Sequence, residues 1–560
     1  MKRLFEEHTL RKVLSLDGKW RMIADTEARA DKENWKNALP QDARRVILPQ
    51  CWNLEMDLFD YEGDVWYEKT FSAQKGNILL EFEGALGLTD VYLDGEHLTG
   101  HYGGYTAFYA VASVSEGEHR LIVKSNNVKD EDSIPALRVD WFNYGGIHRS
   151  VNVHMLPEVW ISDCRYNYTL NDEMTSAKVT ACLTVHSNCE KSLPVSISLD
   201  GETVLTETVS LKAGANELAL CAFEVSNLRL WDAGQGNLYT VRAAIANDDM
   251  IDRIGFRKIE TKNGEILLNG KRIFLRGINR HEEHPDWGFA VPAQINARDL
   301  EILKKLNVNA VRGSHYPASK QFVDMLDEEG ILFWSEIPMW GFSKELMTRP
   351  LVIKRGLDMH KEMTEQYFNH PSIVIWGTHN ECATHTEEGY ALTKKFADLL
   401  REKGGNRLIT YATMFFENDI CFDLADIVCV NKYHGWYGAS TKEWQSYIPY
   451  LRKRLIETGN PDTPVIMSEF GAAAMYGYKS FDANKWTEEY QADVLTEVIK
   501  LCAKEPGCAG TYVWQFADIR SDIDINRARS YNNKGIVNEQ RRPKMAFYAV
   551  KSLYDALSKE

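Results

Sequence analysis

Two β-sandwiches followed by a (β/α)8 barrel are the architecture predicted by this 560-residue sequence. Three observations predict it. Residues 1–157 carry short alternating apolar runs punctuated by glycines, with no long helical pattern. Residues 158–257 repeat that rhythm at about the size of one immunoglobulin-like domain. From 258 to 560 the rhythm changes, and apolar runs alternate with amphipathic helical patterns.

The first unit reads as a jelly-roll-like β-sandwich. Ile78-Leu79-Leu80-Glu81-Phe82 and Val91-Tyr92-Leu93 are strand runs, and Asp94-Gly95 is a hairpin signal because tight hairpin turns need positive φ. In the second unit, Val179-Thr180-Ala181-Cys182-Leu183-Thr184-Val185 and Val195-Ser196-Ile197-Ser198-Leu199 alternate, and Asp200-Gly201 then turns the chain. This immunoglobulin-like sandwich reads as scaffold. In the third unit, eight apolar runs read as parallel strands: 274–278, 308–312, 331–334, 373–376, 408–411, 427–430, 464–467 and 512–516. Helical patterns lie at 299–306, 320–329, 390–403 and 486–504, with Gly330 and Gly404 as stops. Near-continuous apolar strands fit a sheet covered on both faces, and eight such units close a barrel.

Composition excludes several function classes. The formal charge is −15 with no basic tract, so nucleic acid and anionic membranes are not expected partners. Attraction for an anionic substrate must therefore be local, because the global field opposes it. The ten cysteines are scattered singly without a CxxC pair, which argues against zinc and against a disulfide scaffold. They fit a reducing compartment. Met1-Lys2-Arg3-Leu4-Phe5-Glu6-Glu7-His8 lacks the apolar core of a signal peptide, and no apolar stretch is long enough to span a membrane. A cytoplasmic location is expected.

A barrel of this kind carries its chemistry past the C-terminal ends of its strands. Those positions hold Asn279-Arg280-His281, Ser314-His315-Tyr316-Pro317, Glu336, Asn380-Glu381, Met414, Asn431 with Tyr433, Glu469, and Trp514 to Asp518. Glu381 and Glu469 follow strands four and seven, which face each other across a barrel. Paired carboxylates are what glycosidic bond cleavage needs, and their separation decides between retention and inversion. His281 and His315 lack a third ligand at metal spacing, so they suit structure or hydroxyl binding better than a metal. Tyr433, Trp436, Tyr437 and Trp514 suit a sugar platform. Asn532-Asn533-Lys534-Gly535 reads as a turn on the same rim, and its lysine suggests a negatively charged substrate. His148-Arg149 reads as part of a structural ion pair.

These motifs resemble glycoside hydrolase family 2, and within it the beta-glucuronidases. The resemblance runs through Leu16-Asp17-Gly18-Lys19-Trp20, His101-Tyr102-Gly103-Gly104-Tyr105 and Asp140-Trp141-Phe142-Asn143-Tyr144-Gly145-Gly146-Ile147-His148-Arg149. It continues through Asn279-Arg280-His281-Glu282, Ser314-His315-Tyr316-Pro317, Asn369-His370-Pro371-Ser372, Asn380-Glu381, Asn431-Lys432-Tyr433-His434-Gly435-Trp436-Tyr437 and Ser468-Glu469-Phe470-Gly471. It implies a sugar-binding-type first domain and a retaining exo-hydrolase of β-D-glucuronides that needs no metal or cofactor. Glu381 then matches the acid/base and Glu469 the nucleophile. Asn380 matches the asparagine at the sugar 2-hydroxyl. His281, His315, Asn431, Tyr433, Tyr437 and Trp514 match sugar-pocket residues, and Asp140 matches an aspartate reaching in from the first domain. Asn532 and Lys534 match an Asn-x-Lys-Gly motif that holds a substrate carboxylate. The expected partner is a small glucuronide or uronic-acid-terminated sugar, and the resemblance suggests a homo-oligomer.

The sequence departs from the family in three places. No long insertion follows strand three, where Pro338-Met339-Trp340-Gly341-Phe342 leads straight on. Arg527 and Arg529 both lie near the position of a single family arginine. Gln515 stands where asparagine is familiar. Beta-galacturonidase, beta-galactosidase and a non-catalytic carbohydrate-binding protein remain the alternatives.

Overall fold

The structure is a computed structural model that describes residues 3–522 and 526–559. In the first domain, a four-stranded sheet (Val13–Ser15, Val151–Leu156, Gly76–Phe82, Phe108–Val114) faces a six-stranded one. Their inward residues, among them Trp20, Tyr67, Leu80, Phe82, Val91, Leu121 and Val153, form one core. Alternation at period two places these side chains on a single face. The expected Asp94-Gly95 hairpin joins Leu88–Leu93 to Glu96–Tyr102. In the second domain two further sheets enclose a separate core, and Asp200-Gly201 links Lys191–Leu199 to Glu202–Leu211.

The third domain is a closed barrel of eight parallel strands. They are β1 Leu275–Arg280, β2 Ala310–Gly313, β3 Leu332–Glu336, β4 Ile373–Asn380, β5 Leu408–Thr413, β6 Val428–Asn431, β7 Val465–Phe470 and β8 Cys508–Val513. β1 pairs with β8 to close the ring. Helices predicted at 320–329 and 390–403 appear as Lys320–Glu329 and Glu387–Lys403.

Two strand readings needed correction. The eighth strand lies at Cys508–Val513 rather than at 512–516. Its small residues hide it from an apolar search, yet Gly510 lets the chain pass close to Leu275. The more conspicuous Trp514, Gln515 and Phe516 leave the ladder, their amides donating to Phe470, Lys534 and Asn279 carbonyls. β7 runs on through Phe470, so Glu469 sits inside the strand instead of past its end.

The two sandwiches dock on opposite ends of the barrel. In the first domain, buried Arg149 donates to Glu282 (3.1 Å) and to the Pro317 carbonyl (2.8 Å), near the C-terminal rim. This is the ion pair expected around His148-Arg149. In the second, Arg257 donates to the Pro371 and Ile373 carbonyls at the start of β4, on the N-terminal side. No helix among the described residues is long and apolar enough to cross a membrane.

Candidate active site

A cavity of about 570 Å³ opens at the C-terminal rim of the barrel. Its floor is organised by Arg312, the third residue of β2. A guanidinium with no exposed surface needs several acceptors, and here it has them. Nε and Nη2 donate to Glu336 at 3.1 and 2.8 Å, Nη1 to Glu469 Oε1 at 2.8 Å and to Asn279 at 3.1 Å, and Nη2 also to Asn380 at 2.7 Å. Its flat face covers the Trp334 ring at 4.3 Å. One cation thus connects the ends of β1, β3, β4 and β7.

The two carboxylates have unlike surroundings. Glu469 accepts from Arg312 on Oε1 and from the Tyr433 hydroxyl on Oε2 at 2.7 Å, so its charge is matched by donors. Glu381 follows the end of β4 in the left-handed region, at φ 53°, with its amide donating to the Ala412 carbonyl. Such backbone is uncommon outside glycine and is held by its surroundings. The carboxyl of Glu381 receives one hydrogen bond from Asn431 Nδ2 at 2.9 Å. Burial, and next the charge of Glu469, push it up to about 8. One carboxyl is therefore protonated at neutral pH beside another that is held by a guanidinium.

His315 sits between these groups. Burial and the nearby Arg312 lower it to about 3, so the ring is neutral. Its Nδ1 lies 2.7 Å from Glu336 Oε1, which places the hydrogen there and leaves Nε2 as an acceptor toward the cavity. The ring stacks on Trp514 at 5.2 Å. Trp141, from the first domain, packs 5.6 Å from the same imidazole.

Another part of the cavity gathers cations. Asp140 reaches in from the first domain and is gripped by Arg527, whose Nε donates at 3.0 Å, and by Asn532 Nδ2 at 2.8 Å. Arg527 also donates to the Tyr437 hydroxyl at 2.8 Å. Lys534, 1% exposed, donates to that hydroxyl at 2.6 Å and lies within 6 Å of the Tyr433, Trp436 and Tyr437 rings. Among the described residues no carboxylate lies within ion-pair distance of its ammonium. Burial, and then Arg527, lower it to about 7. Arg529 turns away to Asn533 and Glu539, so Arg527 is the arginine that lines the cavity.

Of the residues singled out from sequence, Asp140, His315, Glu381, Asn431, Tyr433, Tyr437, Glu469 and Trp514 line the cavity. His281, Asn380, Asn532 and Lys534 stand immediately behind, bonded to or packed on the lining residues. Among the described residues, buried Asn380 Nδ2 and His281 Nε2 have no hydrogen-bond partner, which leaves donor capacity beside the cavity. Sequence reasoning gave no role to Arg312, Trp141 or Trp340. The available signal for Arg312 was a lone charge inside the run Ala310-Val311-Arg312-Gly313.

Family models match along the chain. "Glycosyl hydrolases family 2, sugar binding domain" matches 13–157, "Glycosyl hydrolases family 2" matches 159–257, and "Glycosyl hydrolases family 2, TIM barrel domain" matches 259–559. The chain belongs to glycosyl hydrolase family 2. It is 28% identical to a beta-glucuronidase of Paenibacillus borealis, across 98% of each chain. A beta-galacturonidase from Eisenbergiella tayi, solved with galacturonate, is 32% identical with a TM-score of 0.93 over 99% of both chains. A beta-glucuronidase from Ruminococcus gnavus, solved with a C6-substituted uronic isofagomine, is 28% identical with a TM-score of 0.89 over 99% of both.

Proposed function

We propose that this family 2 enzyme hydrolyses β-D-glucuronides to glucuronate and aglycone, with retention of configuration and one terminal sugar at a time. The observation that carries the reading is the pair of unlike carboxylates that share one cavity with a group of cations. Glu469 attacks the anomeric carbon while Glu381, protonated because its carboxyl is raised to about 8, hands its proton to the leaving oxygen. A covalent glycosyl-enzyme forms. Glu381, now ionised, takes a proton from water, which hydrolyses the intermediate. Asn380 and His281 bind ring hydroxyls through their unpartnered nitrogens. Lys534 exchanges its bond to Tyr437 for one to the C6 carboxylate, with Asn532 beside it. The incoming anion raises the ammonium back toward its ordinary range, so binding takes up a proton near pH 7.

Support for a uronic acid substrate comes from Lys534, a buried basic group that among the described residues has no carboxylate within ion-pair distance. The relatives and solved structures named for uronic acids agree with it. The test is the rate on nitrophenyl β-glucuronide against the galacturonide and the galactoside. A dominant glucuronide rate supports the proposal, and a dominant galactoside rate ends it. The galacturonide is the second reading, favoured by the higher identity and TM-score of the galacturonidase. Binding without turnover of any of the three would mark a non-catalytic protein. We also propose a cytoplasmic homo-oligomer. All ten cysteines are unpaired, which supports a reducing compartment. Light scattering of the purified chain tests the assembly.

A further inference from the structure

Beneath the turn that carries Lys534 lies a second buried lysine that takes no part in the reaction cycle. Lys544, with no exposed surface, directly precedes the helix Met545–Leu557. Its ammonium donates to three acceptors: the Ala474 carbonyl at 2.8 Å, Asp518 Oδ1 at 2.7 Å and the Asn533 carbonyl at 3.1 Å. Ala474 lies on the segment leaving β7, four residues beyond its end, and Asn533 lies inside the turn. Asp518 Oδ1 also accepts from the Gly535 amide at 2.9 Å. The approach there is so close that a Cβ on Gly535 would stand 2.2 Å from the Asp518 nitrogen. Gln491 repeats the bridge one helix away, its Nε2 donating to Ala472 (2.9 Å), Lys534 (3.2 Å) and Gly535 (3.1 Å) carbonyls.

Both side chains therefore tie the segment after Glu469 to the turn bearing Lys534. A sugar spans those two points, with its anomeric carbon at Glu469 and its C6 anion at Lys534. We infer that Lys544, seated on Asp518 and seconded by Gln491, is a positioning residue that sets the spacing between nucleophile and ammonium, and so selects sugars with an anion at C6. This deepens the uronide reading and rests on it.

The test compares nitrophenyl β-glucuronide with nitrophenyl β-xyloside, which has the same ring without C6. Lys544→Met should lower kcat/KM on the glucuronide by about 30-fold or more, chiefly through KM, and change the xyloside rate by less than about threefold. Equal losses on both substrates, or no loss on either, would overturn the inference. Asp518→Asn and Gln491→Leu keep the test decisive if Lys544→Met fails to fold. Each should shift the same ratio by about fivefold, and an unmoved ratio in both overturns the proposal. Lys534→Ala is run alongside. If it leaves the ratio unchanged, the uronide reading itself falls and this inference falls with it. If it collapses the ratio while the other three variants do not, only the positioning role is lost.

Discussion

The two walls of the cavity are built in different ways. The wall proposed to carry hydrolysis hangs on barrel strands: Glu469 within β7, Glu381 one residue past β4, and both linked through Arg312, Asn380 and Asn431. The strand ladder fixes these positions to within a hydrogen bond, as bond-breaking geometry requires. The wall proposed for recognition is assembled outside the barrel strands, from loops and the short strand Tyr531–Asn532. Asp140 comes from another domain, and Arg527, Asn532 and Lys534 follow β8, with contacts mainly to one another and to Tyr437, which is 59% exposed. Loops can change which substrate is held without disturbing the chemistry. The walls should therefore fail separately.

The largest effect belongs to the hydrolytic wall. Glu469→Gln should lower kcat by about 10⁴-fold or more on glucuronide and xyloside alike, measured as nitrophenol release. A variant with near-full turnover would remove Glu469 from the nucleophile role. Next comes Lys534→Ala, which should lose ~2 kcal/mol or more on the glucuronide, roughly 30-fold, and little on the xyloside. If both substrates suffer equally, the separation of the walls is wrong. Asp140→Ala should be smaller, about a tenfold rise in KM for the glucuronide, because it releases Arg527 and Asn532 without removing Lys534.

Two pH effects sharpen the contrast. kcat/KM should fall as pH rises through about 8, where Glu381 loses its proton. Lys534, near 7, contributes to the same limb on the glucuronide but not on the xyloside. A limb at the same pH on both substrates would leave it to Glu381 alone. The smallest effect is on stability. The Glu381 carboxyl is raised on folding, so its contribution is fully present below the ordinary carboxyl range and is lost as pH climbs through about 8. Glu381→Gln should thus melt ~1–3 °C above wild type at pH 8 and level with it at pH 4. Thermal scans at the two pH values check the sign.

Much of the fold was legible because burial imposes a period. Alternation exposed the sandwich strands, and continuous apolar runs exposed most of the barrel strands. The exceptions are informative. β8 was misplaced because Cys508-Ala509-Gly510-Thr511 is built of small residues that fit a tight neighbour, a need set by Leu275 on a strand more than two hundred residues away. The candidate site was legible where a carboxylate follows an apolar run within a few residues, as at Glu381 and Glu469. Arg312 escaped because its five donors are answered by residues from four different strands.

The sequence by itself determined the three-part architecture, and it proposed the two carboxylates and the basic turn, since each rests on a local pattern. Only the tertiary structure decided which arginine faces the cavity, which carboxyl keeps its proton and what braces Lys534. Those properties depend on desolvation and on partners brought together across the chain, and neither quantity exists until the barrel has closed.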